Sequence, residues 1–293
     1  MTTPFRKVVI IGVGLIGGSL AMALKEKGLA ERVVGVGRGA DNLKVALSRG
    51  MIDEYTHEVK EAIKGADLVL LATPVGTMGS VVQELAPSLE RGAIITDVGS
   101  VKGAIIDDIE PLMPEGTFFV ATHPIAGTEN SGAEAAFTSL FRDKVCIITP
   151  TAGTDEGALE RVKEMWEATG SHVVTMDAGQ HDVILAAISH LPHVAVYALV
   201  NAVAGASGDG ISILNYAAGG FTDFTRIASS SPEMWRDICL MNREALIKVI
   251  DTFQENVERM KNFIEREDGA ALVEEFRKAT KFRESLKEGS GRG

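Results

Sequence analysis

Two hydrophobic patterns follow one another along this chain. Up to about residue 176, short apolar runs rich in Val and Ile alternate with amphipathic segments. The runs are Lys7 to Gly12, Arg32 to Gly37, Ala66 to Pro74, Ala93 to Gly99, Thr117 to Pro124, Lys144 to Pro150 and Ser171 to Met176. Helix-like stretches fall between most of them, at 16–27, 41–49, 76–86, 101–110 and 155–169. Strands that are apolar throughout, joined by helices, predict a parallel sheet covered on both faces, the doubly wound α/β class.

After Met176 the strand signal stops and the chain reads as helix to its end. From Trp235, the positions Ile238, Leu246, Val249, Phe253, Val257, Met260 and Ile264 keep spacings of mostly three and four, with one longer gap. That predicts one helix longer than most in globular proteins. Ser230, Ser231, Pro232 and Glu233 supply its start signal. A helix of this kind needs a partner surface, either another subunit or its own chain; the expectation is an all-α domain that dimerises. The predicted division is a nucleotide domain at 1–176, a helical domain at 177–288 and a disordered tail at 289–293.

Composition narrows the partners. The chain has 293 residues, enough for two domains, with 40 acidic against 29 basic residues and a net charge of −11. It has no Lys/Arg stripe interleaved with aromatics, so neither nucleic acid nor an anionic membrane is an expected partner. Cys146 and Cys239 stand far apart in no metal-like spacing, which argues against a disulfide framework and fits a reducing cytoplasm. The apolar N-terminal run carries glycines in a turn pattern, reads as mature fold rather than a leader, and no other stretch holds 18 consecutive apolar residues.

Gly12-Val13-Gly14-Leu15-Ile16-Gly17 closes the first apolar run and opens the first helix. On a strand-turn-helix the three glycines give a tight turn, backbone approach to a pyrophosphate, and close helix packing, with the helix N-terminus toward the phosphates. Thr73 and Pro74, ending another run, are placed with the cofactor. An NAD site expects an acid at the end of the second strand, but Gly37 and Arg38 stand there. A glycine leaves room for a 2′-phosphate and an arginine can pair with it. NADP or dual use is therefore favoured over strict NAD, with Asp41 as a displaced acid in the alternative.

Ligands in open parallel sheets sit beyond the carboxyl ends of the strands. Ser100, in TDVGSVKG, and His123, in THPIAGTENSG, occupy such ends. A histidine there can take a proton from an alcohol as its hydride leaves. A second pair, His190 and His193 in SHLPH, opens an apolar helical run and reads either as half of a site or as capped core histidines. Zinc is disfavoured, since the pair lacks a third ligand and no HExxH is present.

In HPIAGTENSG, SHLPH and GGFTDFTRIASSSPEMWRDI the chain closely resembles the prephenate and arogenate dehydrogenase family, and the resemblance runs nearly its whole length. It implies a nucleotide domain followed by a helical dimerisation domain, a homodimer, an NAD or NADP cofactor, no metal, and oxidative decarboxylation of prephenate or arogenate in tyrosine synthesis. It also implies roles. His123 resembles the base that accepts the ring hydroxyl proton, Ser100 the serine that holds base and nicotinamide in register, and Arg226 the arginine that binds substrate carboxylate. His190 and His193 line the substrate pocket, His193 as the direct contact. Thr128 and Glu129 line it as well, Glu129 from a partner-facing loop; Trp235 is substrate-side packing or plain core. His181 is either a hinge or a site residue; His57 and His172 fall in none of these motifs and read as surface or structural.

Two rival readings remain. One is a 3-hydroxyacid or 6-phosphogluconate-like dehydrogenase, which needs a lysine early in the helical domain; none lies between Val173 and Arg226. The other is a non-catalytic nicotinamide-binding regulator, which has no use for His123, Ser100 and Arg226 together.

Overall fold

The computed structural model describes residues 4–128, 130–206 and 216–289, with side chains to residue 285. The chain divides into two compact units, Met1–Arg243 and Glu244–Gly293.

In the first unit, strands β1 (Val8–Ile11), β2 (Val33–Val36), β3 (Glu54–Thr56), β4 (Leu68–Leu71), β5 (Ile94–Asp97) and β6 (Phe118–Val120) form one sheet in the order β3-β2-β1-β4-β5-β6. Every pair in it is parallel. The order reverses between β1 and β4, which makes a crevice at the carboxyl edge where doubly wound folds bind nucleotides. β1, β2, β4 and β5 are buried at every position, the reason their sequences show no alternation. Helices α1 (Leu15–Glu26), α2 (Ala40–Ser48), α3 (Val59–Ala62), α4 (Val75–Leu85), α5 (Gly103–Ile109) and α6 (Glu156–Ala168) belong to the same unit. Two apolar cores result. One holds Leu20, Leu24, Phe141 and Trp166; the other gathers Val9, Leu71, Val82, Ile95 and Ile109.

Three features depart from the sequence expectation. The run Thr117 to Pro124 is two strands, because the chain leaves the parallel sheet at Ala121: β7 (Thr122–Pro124) pairs antiparallel with β8 (Val145–Ile148), and β8 pairs parallel with β9 (His172–Thr175). The short β3 and α3 carry too few apolar positions to be seen. The single long helix from Trp235 is broken: α10 (Pro232–Met241) ends at Asn242, with φ −105° and ψ 32°, before α11 (Arg243–Glu265). The start signal is real, since Ser231 Oγ accepts a hydrogen bond from Met234 N at 3.3 Å.

Between β9 and α10 come α7 (Ala178–Leu185), a π-type turn at Ala186–His190, α8 (Leu191–Gly205), α9 (Gly219–Thr225) and a 3-10 turn at Arg226–Ser229. Ala178–Gly205 runs as 28 continuous helical residues and contains an 18-residue window of mean hydropathy 1.9, long and apolar enough to cross a membrane by length and composition, with 22% of that window buried. Counting consecutive apolar residues misses it because His181, Asp182, Ser189, His190, Pro192 and His193 interrupt the run. Three of those interruptions, His181, Asp182 and His190, are buried.

The second unit holds the rest of α11 and α12 (Gly269–Gly289), joined by Arg259 donating to Glu275 at 2.8 Å. The expected tail beyond Gly289 lies outside the described residues.

Candidate active site

The glycine turn has the shape its spacing predicts. Gly12 takes φ +99°, and a methyl group there would collide with the Ala72 carbonyl. At Gly17 a methyl would collide with the Gly12 carbonyl and Ile10, so this residue sets how closely α1 packs on β1. Gly14 is different: a methyl there would meet nothing within 4 Å. Leu15 and Ile16 follow it in the first turn of α1, which has no side-chain cap and no acidic residue. Unsatisfied N–H groups, an open approach and the positive end of a helix together suit a pyrophosphate, so the residues fit a dinucleotide. Arg38 lies exposed just beyond β2, and the neighbouring Gly37 carbonyl accepts a hydrogen bond from His57 Nδ1 at 2.7 Å. Asp41 points its carboxylate to solvent beside Lys44, 3.4 Å away. Thr73 Oγ1 accepts from Thr77 Oγ1 at 3.0 Å, and Pro74 caps α4.

His123 lies on β7, just past the carboxyl end of β6, at the sheet edge that also carries the glycine turn. A polar layer fixes its strand. Asp97, at the end of β5, accepts from Thr122 N at 3.0 Å and from Gly99 N at 2.7 Å. Lys102 Nζ pairs with Asp97 and donates to the Thr122 carbonyl at 2.8 Å, both side chains being fully buried. Burial pushes the Lys102 ammonium down, against the opposing pull of Asp97.

His123 itself is 8% exposed, and its Nδ1 lies 2.8 Å from His181 Nε2. His181 Nδ1 in turn donates to Asp182 Oδ1 at 2.8 Å. Asp182 closes the layer by accepting from the amides of Lys102 and Gly103 at 2.8 and 2.9 Å. Burial, then the nearby His181, Lys102 and His190, hold His123 well below the usual imidazole range. It is therefore uncharged at neutral pH and able to accept a proton.

The histidines of SHLPH resolve into two environments. His190 is fully buried, its Nδ1 3.1 Å from Asn242 Nδ2, which also donates to the Asp182 carbonyl at 2.8 Å. Its Nε2 has no protein partner within hydrogen-bond distance. Burial is the largest influence on it and pushes it down to about 4. His193 is half-buried, donates from Nδ1 to the Ser189 carbonyl at 2.9 Å, and stacks on Trp235 with ring centroids 3.6 Å apart. Trp235 is 8% exposed within the second core. Ser100 is half-buried in the loop before α5, its backbone close to the His190 ring but outside hydrogen-bond geometry.

The structure therefore gathers His123, His181, Asp182, His190, Asn242, His193 and Trp235 into one network, with Ser100 at its edge. Arg226 stands exposed at the 3-10 turn that packs against α8, the helix of His193. Thr128 is exposed in the loop after β7. Glu129 lies outside the described residues. Sequence reading missed Asp97, Lys102, Asp182 and Asn242 and left His181 undecided. The adjacency His181-Asp182 and the run Asp97 to Lys102 were the available signals. No group of three or more His, Cys, Asp or Glu able to hold a metal occurs among the described residues.

Comparison with known proteins places both parts of the chain in one family. The family model for the prephenate dehydrogenase nucleotide-binding domain matches residues 20–175, and that for the prephenate dehydrogenase dimerization domain matches residues 177–278. Over 286 residues the chain is 39% identical to the cyclohexadienyl dehydrogenase of Zymomonas mobilis, covering 97% of both sequences. The crystal structure of A. aeolicus prephenate dehydrogenase with hydroxyphenyl propionate and NAD+ superposes with a TM-score of 0.90 at 37% identity, covering 96% of this chain and 98% of that one. Synechocystis arogenate dehydrogenase gives a TM-score of 0.78 at 28% identity, over 96% and 100% of the two chains. Matched in both domains and along nearly its full length, the chain belongs to the prephenate dehydrogenase family.

Proposed function

We propose that this chain oxidatively decarboxylates prephenate to 4-hydroxyphenylpyruvate, or arogenate to tyrosine, as a cytoplasmic homodimer using NAD or NADP. One observation carries the reading: an uncharged, nearly buried histidine, His123, follows the sheet edge at which the glycine turn accepts a dinucleotide. The relatives' names, prephenate, cyclohexadienyl and arogenate dehydrogenase, support the substrate class.

Bound NAD(P) supplies the hydride acceptor for the ring carbon that bears the hydroxyl. His123 takes the hydroxyl proton, and loss of the ring carboxylate as carbon dioxide makes the ring aromatic. Ser100 keeps base and nicotinamide in register. Arg226 holds a substrate carboxylate through a planar fork of donors, which a chain of net charge −11 must concentrate locally. His190 offers its unpartnered Nε2 to the pocket, and His193, oriented by Trp235 and Ser189, contacts the substrate. The nucleotide domain is assigned to 1–176 and the helical substrate and dimerisation domain to 177–288. Gly37 and Arg38 favour NADP or dual use, because no carboxylate ends β2 to repel a 2′-phosphate.

Nicotinamide reduction by the purified protein, with prephenate and arogenate each tested against NAD and NADP, decides the matter. Turnover with either substrate supports the reading, and the cofactor with the higher kcat/KM tests the Arg38 assignment. Silence in all four mixtures, with cofactor bound to a folded protein, would overturn it in favour of another dehydrogenase activity or a binding protein.

A further inference from the structure

The bonds around His181 determine which nitrogen of His123 is the base. Lys102 N, Gly103 N and His181 Nδ1 all point at the Asp182 carboxylate, which can only accept. Burial pushes that carboxyl upward, but the bonds from His181, Lys102 and Gly103 outweigh it and hold Asp182 below the usual carboxylate range. A single proton on His181 must therefore sit on Nδ1, facing a carboxylate oxygen that can only accept. His181 Nε2 is then a lone pair, and the 2.8 Å contact requires His123 Nδ1 to be its donor. The remaining nitrogen of His123, Nε2, is left without a proton.

We propose that His181 and Asp182 are positioning residues that lock His123 as the Nε2 base and share the proton it takes. The proposal rests on His123 being the base of the reaction above. As the substrate O–H bond breaks, a bond forms between that proton and His123 Nε2. The His123 Nδ1–H bond then breaks as the proton moves to His181 Nε2. His123 ends neutral and His181 ends as imidazolium, hydrogen-bonded to the Asp182 carboxylate. After product leaves, His123 returns the Nε2 proton to water and recovers its Nδ1 proton from His181.

The surroundings oppose charge on His123 and set a carboxylate against His181. Facing the pair are Asp182 on α7, Lys102 before α5 with its partner Asp97 on β5, His190 on the π-type turn, and Cys146 on β8, whose thiol burial keeps protonated. Lys102 and His190 both oppose a cation on His123. Asp182 is bonded to His181 directly. Neither motif nor spacing gives His181 this part, since its partners lie 58 residues away and next door.

Two measurements on the full-length protein test it. Long-range 1H–15N correlation on the protein labelled at its six histidines, assigned with His181→Gln, reads the tautomers without any substrate. The expected pattern is a proton on Nδ1 of both His123 and His181 at neutral pH; a proton on Nε2 of His123 would overturn the proposal. The second is the pH dependence of kcat/KM. His181→Gln keeps an oxygen that can accept from His123 Nδ1 but cannot hold a cation. Its acid limb is expected at lower pH than the wild type's, with kcat reduced about 10- to 100-fold and cofactor affinity unchanged. A fall in kcat with the acid limb unmoved would mark His181 as structural packing and overturn the sharing of the proton. If the wild type turns over neither prephenate nor arogenate, the catalytic reading fails while the tautomers are still read from the spectrum.

Discussion

Burial holds the imidazoles of His123, His190 and His193 below their usual range, and this makes stability depend on pH in a definite direction. An unfolded histidine binds a proton near pH 6.5, whereas these folded ones resist it. As pH falls below about 6.5 the unfolded chain takes up protons that the folded chain does not, and stability is lost toward pH 4. His190 alone, held at about 4, contributes on the order of 3 kcal/mol of that loss. Thermal unfolding followed from pH 7.5 to 4.5 is expected to show a falling Tm; a flat profile would contradict the burial argument. His123→Asn is expected to retain cofactor binding and to lower turnover roughly 10²- to 10⁴-fold, read by steady-state kinetics beside cofactor titration. Arg226→Ala is expected to raise KM about 10- to 100-fold, the worth of hydrogen bonds to a charged group. At this scale His123 was legible because its motif and strand-end position coincide. His181, Asp182 and Asn242 were not, because their roles come from bonds to residues 52 to 80 positions away.

The elements of the first unit were legible wherever burial is complete. β1, β2, β4 and β5 show as unbroken apolar runs, and α1, α2, α4 and α6 lie within a residue or two of their expected bounds. What the pattern could not reveal is a change of partner inside one apolar run: Val120 and Thr122 look like one strand, but belong to two sheets. Nor could it reveal the stop at Asn242, where the side chain leaves helical spacing to bond inward. Paired substitutions in the glycine turn separate fold from binding. Gly12→Ala places a methyl against the Ala72 carbonyl at φ +99°, so a loss of about 1–3 kcal/mol is expected as a lower Tm. Gly14→Ala meets open space and is expected to fold normally while weakening NAD(P) binding at least about tenfold, because its methyl stands where a phosphate must approach. Equal thermal effects of the two would contradict this division.

Over the whole molecule the expectation is set by apolar surface. In the second unit Ile247, Phe253, Val257, Ile264, Phe276 and Phe282 are all more than two-fifths exposed, more than a helical pair leaves to water without a use. The family's dimerization domain covers residues 177–278. Light scattering is expected to give twice the 31.1 kDa chain mass, and Phe253→Glu with Val257→Glu to reduce it to one. A monomeric wild type at micromolar concentration would count against the dimer.

The buried Asp97 and Lys102 pair gives little to stability as such. Apolar residues of similar volume generally serve a fold as well as a buried ion pair or better. Such residues here would leave the amide and carbonyl of Thr122 without their partners. A strand as short as β7, freed to slip by one residue, turns its side chains to the opposite face. The ion pair thus acts as a register pin: it accepts a cost in stability to keep His123, one residue beyond Thr122, facing the chemistry rather than the core.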